Sequence, residues 1–358
     1  MSDGRLVDWG LARRIAVRLA GTEREAGAFD QPAVDAACAD AVGLVTAYTR
    51  LEPLTPLPAP QLIDRADWAW GGIRSLEELS GELERRIAEG FSLPGPLGGL
   101  ARSLAGAAIA AEAGAAVGYG ARKVLGQYDV ALAGADRPAR LVFVGPNLLS
   151  AHHKLGEDPG LFLRWIAIHE ITHSIQFSAV PWLRPHLSGL IGRLIGGASA
   201  RLDSDSLRTA AGRLLRSDPR KTVRTVIGGE LPRLLAGPEQ RATMDALQAV
   251  MSIVEGHAEH VMDAAGEALE PGYARLRGRL DAHRADRSGL ADVIAKLLGM
   301  ELKMRQYRIG KAFCDEIASE GGIEALNEVW RSPEALPRLD ELERPLDWMH
   351  RAAASAPA

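Results

Sequence analysis

Apolar residues recur at helical spacing through most of the chain, and alternate as in a strand over only two short stretches. Residues 5–20 and 75–90 mix apolar and charged positions with a helical period, so both read as helices. "RLEPLTPLPAPQL" (50–62), with four prolines, reads as an extended connector, and "FSLPGPLGGL" (91–100) as a second break. "QYDVALAG" (127–134) and "ARLVFVG" (139–145) are the strand candidates, forming a hairpin or two neighbouring strands, with a turn at Gly145-Pro146-Asn147. Asp158-Pro159 then supplies a cap and a first-turn proline for a helix running to about Ala179, where Pro181 stops it. Further helices are expected at 186–197, 206–217, 240–265, 287–319 and 322–330. The expected fold is mainly α, with one small β element just ahead of the 158–179 helix.

The stretch 105–121, "AGAAIAAEAGAAVGYGA", is apolar but built from Ala and Gly around Glu112, without the Leu, Ile and Phe content that favours hydrocarbon. It reads as a tightly packed helix within the protein. Arg13, Arg14 and Arg18 interrupt the apolar positions near the start, so no secretory signal is expected. Cys38 and Cys314 are the two cysteines, in unrelated contexts, which suggests a cytoplasmic setting without a disulfide framework. Of the 358 residues 47% are hydrophobic and 25% charged, ordinary for a chain with a large core. A net charge of −4 gives no global attraction to nucleic acid or an anionic membrane. The eight basic residues against four acids in 201–233 read as a solvated helical face with loops.

"RWIAIHEITHSIQF" (164–177) changes the picture. On a helix, His169 and His173 lie about 40° apart in projection and can aim both imidazoles at one metal ion. Glu170, about 100° round from His169, stands where a general base takes a proton from a metal-activated water. Ile166, Ala167, Ile168, Ile171, Thr172, Ser174 and Ile175 carry no charge, as a helix buried through a core requires. A catalytic zinc site needs a third protein ligand. Position 176 is Gln176 and position 179 Ala179, so a third histidine six residues on is excluded.

"MSIVEGHAEHVMD" (251–263) offers the alternatives. Glu255, Glu259, Met251 and Met262 share one helical face, with His257 nearly opposite Glu255. Glu255 is the favoured ligand. Glu259, one turn on, is expected to hydrogen-bond the far nitrogen of a ligating histidine. His257 is the alternative ligand, since an ideal helix cannot aim both it and Glu255 at one ion. His260, about 140° round from Glu255, reads as a satisfied polar residue. Gly256 allows a neighbouring helix to come close. In "ELKMRQYRIG" (301–310), Arg305 and Tyr307 are candidate donors to an oxyanion.

The opening "VDWGLARRIAVRLAG", "HEITHSIQF", "MSIVEGHAEHVMD" and "GMELKMRQYRIGKAF…LNEVWRSPEALP" together resemble the type 2 zincin-like metallopeptidases. These are largely actinobacterial proteins often linked with biosynthesis of the deazaflavin coenzyme F-420. The resemblance spans essentially the whole chain. It implies one family unit with a zincin-like metallopeptidase fold, read as an N-terminal mainly helical region (1–125) and a catalytic region (126–358). It further implies one zinc ion (Zn²⁺) on His169, His173 and Glu255, with Glu170 as base. No Gly-rich phosphate loop is present to hold a deazaflavin. The expected function is zinc-dependent hydrolysis of a peptide or amide bond, with no nucleic-acid or membrane partner. The alternative is a catalytically silent zinc-binding scaffold linked to deazaflavin coenzyme metabolism, in which 186–236, with its Leu187/Leu190/Ile191/Leu194/Ile195 stripe, covers the cleft.

Overall fold

A computed structural model describes residues 6–23, 27–90, 96–130, 132, 137–199, 236–269, 272–284 and 305–354. The basic stretch 201–233 and the helix expected at 206–217 lie outside them. The described elements are α1 (Trp9–Ala20), α2 (Gln31–Thr49), β1 (Pro60–Ile63), α3 (Arg65–Gly90), α4 (Pro96–Gly120), β2 (Gly126–Asp129) and β3 (Arg140–Val144). They continue as α5 (Gly145–Leu155), α6 (Pro159–Ala179), α7 (Leu183–Ser199), α8 (Pro238–Gly266), α9 (Tyr273–Arg284), α10 (Arg305–Asn327) and α11 (Pro345–Ala354). The protein is mainly helical with a small three-stranded sheet, in the order β1-β3-β2.

The two strands expected from alternation pair antiparallel, from Gly126↔Phe143 to Asp129↔Arg140. The third strand is the end of the proline-rich connector: Pro60–Ile63 runs parallel to β3, from Pro60↔Leu141 to Ile63↔Val144. Proline is tolerated there because Pro60 opens an edge strand. β3 is therefore central and buried on both faces. Leu141 and Phe143 enter a core shared with α2, α5 and α6, while Val142 and Val144 enter a second core under α1, α3 and α4. Residues 6–124 and the later chain thus share the sheet and both of these cores. Gly145-Pro146-Asn147, expected as a turn, instead opens α5, where proline fits the first helical turn.

α4 is the Ala/Gly-rich helix, and it packs along α1 through Ala110, Ala113 and Val117. Its outer face stays in solvent, with Leu104, Ile109 and Tyr119 exposed. Among the described residues no helix is long and apolar enough to cross a membrane. Leu187, Leu190 and Leu194 of α7 are buried in a third core with Leu247 and Val250 of α8. Each such leucine contributes about 1.5–3 kcal/mol when fully buried, so the stripe on α7 serves as core packing. α10 covers 305–319 of the helix expected at 287–319, whose first part lies outside the described residues, and is interrupted at Gly322 (φ 74°), where the helix expected at 322–330 begins.

Candidate metal centre

α6 begins where Asp158 accepts a hydrogen bond from the Leu161 amide at 2.7 Å, with Pro159 in the first turn. From Glu170 to Gln176 every residue of this helix is buried, as the uncharged flanks require. α8 crosses it, and on the far side α8 meets α10 at Gly256 and Gly310. A Cβ on Gly256 would stand 2.2 Å from the Gly310 carbonyl carbon, and one on Gly310 2.0 Å from the Ser252 carbonyl oxygen. Only glycine permits that approach, and α10 is the close neighbour that Gly256 allows.

The crossing brings His169, His173 and Glu255 together, with one ligand atom from each lying within 4.8 Å of the others. The two Nε2 atoms are 3.2 Å apart, and each is 3.7 Å from Glu255 Oε2. Two nitrogens bound at about 2.0–2.1 Å to one tetrahedral ion stand roughly 3.3 Å apart, so the imidazole spacing fits a metal and the carboxylate needs only a small closure. Charge agrees with the fit. Burial opposes ionisation of Glu255, but the adjoining His173, with His169 beyond it, outweighs burial and holds the carboxyl below the usual carboxylate range. Burial likewise opposes protonation of His173, yet Glu255 and Glu170 push it up to about 9. The pocket favours a cation. It is also reachable, since the His169 and Glu255 side chains keep 19% and 25% of their surface exposed.

Glu170 is held apart from this cluster by the sheet. Its Oε2 accepts the Tyr128 backbone amide at 3.0 Å, on the free edge of β2. β2 is set in place from behind: the Asn147 amide of α5 donates to the Ala121 and Val124 carbonyls at 2.8 and 2.6 Å and accepts from Arg65 Nε at 2.6 Å. Strand and carboxylate touch so closely that a Cβ on Gly126 would lie 2.7 Å from Glu170 Cγ. Burial, and secondarily Glu255, pushes the Glu170 carboxyl up to about 7, against the opposing effects of His173 and the Tyr128 amide. Tyr128 stacks on Phe177, two turns along α6 from Glu170, with ring centroids 5.7 Å apart.

His257, the alternative ligand, is not in the metal-binding cluster. His257 stands about 200° round α8 from Glu255 and meets α6 at Gln176 instead of at the two histidines. His257 Nδ1 lies 2.9 Å from Gln176 Nε2, and its ring meets Trp330 edge-on at 5.3 Å. Burial, with His260 and His173 nearby, lowers its pKa to about 3, so it is neutral at physiological pH. The partner of the far nitrogen of His173 is Gln176 Oε1, at 2.9 Å, rather than Glu259. Glu259 accepts from Arg277 Nη1 at 3.3 Å, and Met262 Sδ lies 3.0 Å from His169 Nδ1. His260 is a satisfied polar residue as expected, bonded to Tyr48 and Asp315. Arg305 and Tyr307 open α10, and their side chains lie outside the described ones. Sequence reasoning missed Gln176, Gly126 and Tyr128. The only signals for them were the position of Gln176 two turns from His169 and the nearness of β2 in sequence to the histidine helix.

Comparison with known proteins agrees with this geometry. Over 98% of the chain and all of the other, the structure is similar to the crystal structure of a proposed hydrolase with a novel fold from Chloroflexus aurantiacus, at 28% identity and a TM-score of 0.70. No curated protein matches the chain. Residues 7–349 match the zincin-like metallopeptidase family, and the protein belongs to that family.

Proposed function

We propose that this protein is a zinc-dependent hydrolase of peptide or amide bonds, with His169, His173 and Glu255 as metal ligands and Glu170 as general base. The observation that carries the reading is the convergence of two imidazole Nε2 atoms and a carboxylate oxygen in a reachable, cation-favouring pocket, with a separate buried carboxylate on the same helix. When bound, the metal supplies Lewis acidity, lowering the pKa of water toward about 7 and polarising a carbonyl. Glu170 takes the proton of the attacking water and returns it to the leaving nitrogen. Its burial raises the carboxyl in the metal-free site, which favours its holding a proton between the two transfers. The Tyr128 amide holds one oxygen, Oε2, and so fixes the direction in which Glu170 works.

Arg305 and Tyr307 are the proposed donors to the oxyanion. That reading rests on the sequence pattern and on α10 packing against the helix that carries Glu255, with Tyr307 one turn before Gly310. The zincin-like topology belongs to the same reading and is supported by the histidine helix lying against an antiparallel edge strand. The whole chain acts as one unit, with the sheet joining its two regions. A link to deazaflavin coenzyme metabolism rests on the sequence resemblance alone.

The test is metal content by mass spectrometry together with turnover on a peptide library. Wild-type protein is expected to hold near-stoichiometric zinc, and Glu255→Ala to lose it. Glu170→Gln should keep the metal and lose turnover by about 10²–10⁴-fold. Zinc without turnover on any peptide or amide would favour the scaffold reading. Absence of metal binding would leave a helix with two histidines.

A further inference from the structure

Gln176 is fully buried and makes three hydrogen bonds, one within α6 and two to α8. Its Oε1 lies 2.9 Å from His173 Nδ1, while its Nε2 lies 3.1 Å from the Val254 carbonyl oxygen and 2.9 Å from His257 Nδ1. The Val254 carbonyl can only accept, so it dictates which way the amide points. The reversed amide would face oxygen to oxygen. With its NH₂ group committed to Val254 and His257, Gln176 must offer its carbonyl to His173. His173 Nδ1 therefore keeps a proton, and Nε2, which faces His169 and Glu255, is the nitrogen that would give up its proton to bind a metal. His257 Nδ1 in turn accepts, which leaves its own proton on a buried Nε2 that has no hydrogen-bond partner among the described residues.

From this chain of bonds we infer that Gln176 and His257 are positioning residues, a polarity lock that fixes the tautomer and ring plane of His173 for metal binding. The inference rests on the metal-centre reading above. It explains why a histidine two residues after Glu255 is buried beside the site without joining it. A neutral imidazole there takes the second N–H of Gln176, and no competing donor can turn the amide round. Outer partners of this kind orient ligating histidines and typically change metal affinity by about 10–100-fold when removed.

The experiment measures zinc affinity by chelator competition, the visible spectrum of the Co²⁺-substituted protein, and the melting temperature of the metal-free form. Gln176→Leu removes both ends of the lock and should weaken zinc binding about 10–100-fold, with an altered Co²⁺ spectrum. Gln176→Glu keeps an acceptor for His173 Nδ1–H and should bind within a few-fold of wild type, although it also loses the bonds to Val254 and His257. His257→Phe preserves the aromatic packing on Trp330 but removes the acceptor, and should fall between the two. If Gln176→Leu does not fold, the His257→Phe and Gln176→Glu pair carries the test, the first expected to bind more weakly than the second. A lowered melting temperature in all three with unchanged zinc affinity and Co²⁺ spectrum would overturn the lock and make Gln176 a helix-to-helix pin. Wild-type protein that takes up neither ion would overturn the metal centre itself, a failure recognisable because it precedes any substitution.

Discussion

On one side of α8, Glu255 meets His169 and His173; on another, His260 meets Tyr48 and Asp315. Both groups join histidine to carboxylate across helices, and in both the histidines are mostly buried. In the second, each ring nitrogen has a partner. Tyr48 Oη lies 2.6 Å from His260 Nε2, and Asp315 Oδ1 lies 2.8 Å from Nδ1. Lys311 then bridges Asp315 and Asp263 at 2.6 and 3.0 Å, and Arg277 joins Asp263 to Glu259. In that network every carboxylate has a lysine, arginine or imidazole partner. In the first group, two Nε2 atoms face each other at 3.2 Å with a carboxylate equidistant from both. The contrast teaches that convergence of electron-pair donors marks a metal site better than the number of titratable groups does.

The sharpest way to break the comparison is to delete one histidine from each group. His169→Ala should abolish stoichiometric zinc, whereas His260→Ala should leave it bound, as measured by metal analysis of purified protein. Zinc retained in His169→Ala would erase the distinction between the groups. Next in size is Gly126→Ala. Its new methyl would press on Glu170, 2.7 Å from Cγ, so turnover should fall on the order of 10–100-fold while zinc affinity holds. Equal losses in both would mean that β2 supports the whole centre rather than Glu170.

Tyr48→Phe probes the second group. It leaves His260 Nε2 without the Tyr48 hydroxyl, in a residue 8% exposed, and should cost about 1–3 kcal/mol in denaturant unfolding with zinc content unchanged. The smallest effect is expected from Asp315→Asn. Burial raises the Asp315 carboxyl, but the bonds from His260 and Lys311 outweigh it and hold the carboxyl below the usual range. A depressed folded value means stability that is full above the ordinary aspartate pKa of about 3.9 and is lost as pH falls through the folded value. Wild-type protein should therefore lose more stability than Asp315→Asn on acidification below about pH 4. With 44% of the Asp315 side chain exposed, solvent limits the difference to about 1 kcal/mol or less. Parallel melting curves of the two proteins across that pH range would show it.

Much of this was legible along the chain. The 158–179 helix carries its cap, its first-turn proline and its uncharged flanks locally, and four-residue spacing puts His169 above His173 in any α-helix. The unbroken apolar run in "ARLVFVG" marked the central strand, because both faces of β3 must be apolar to feed two cores. The parallel strand in the proline-rich connector was not legible. Pro60–Ile63 has no strand signal of its own and becomes one only by lying beside β3. α5 hid similarly behind a Gly-Pro-Asn that serves equally as a turn or a helix start.

The candidate site divides along the same line. Local periodicity placed Glu255 and His257 on different sides of one helix, about 200° apart, which excluded both as ligands to one ion. Choosing between them depended on how α8 crosses α6, and α8 is also held by α10 at Gly310, more than fifty residues further on. The same crossing put Val254 and His257 against Gln176, and the sheet put Gly126 and Tyr128 against Glu170. Angular position on a helix is a property of the nearest few residues, set by backbone hydrogen bonding. Which of those angles faces a metal, a core or a neighbouring amide is set by packing between segments far apart in the chain, and no local pattern encodes it.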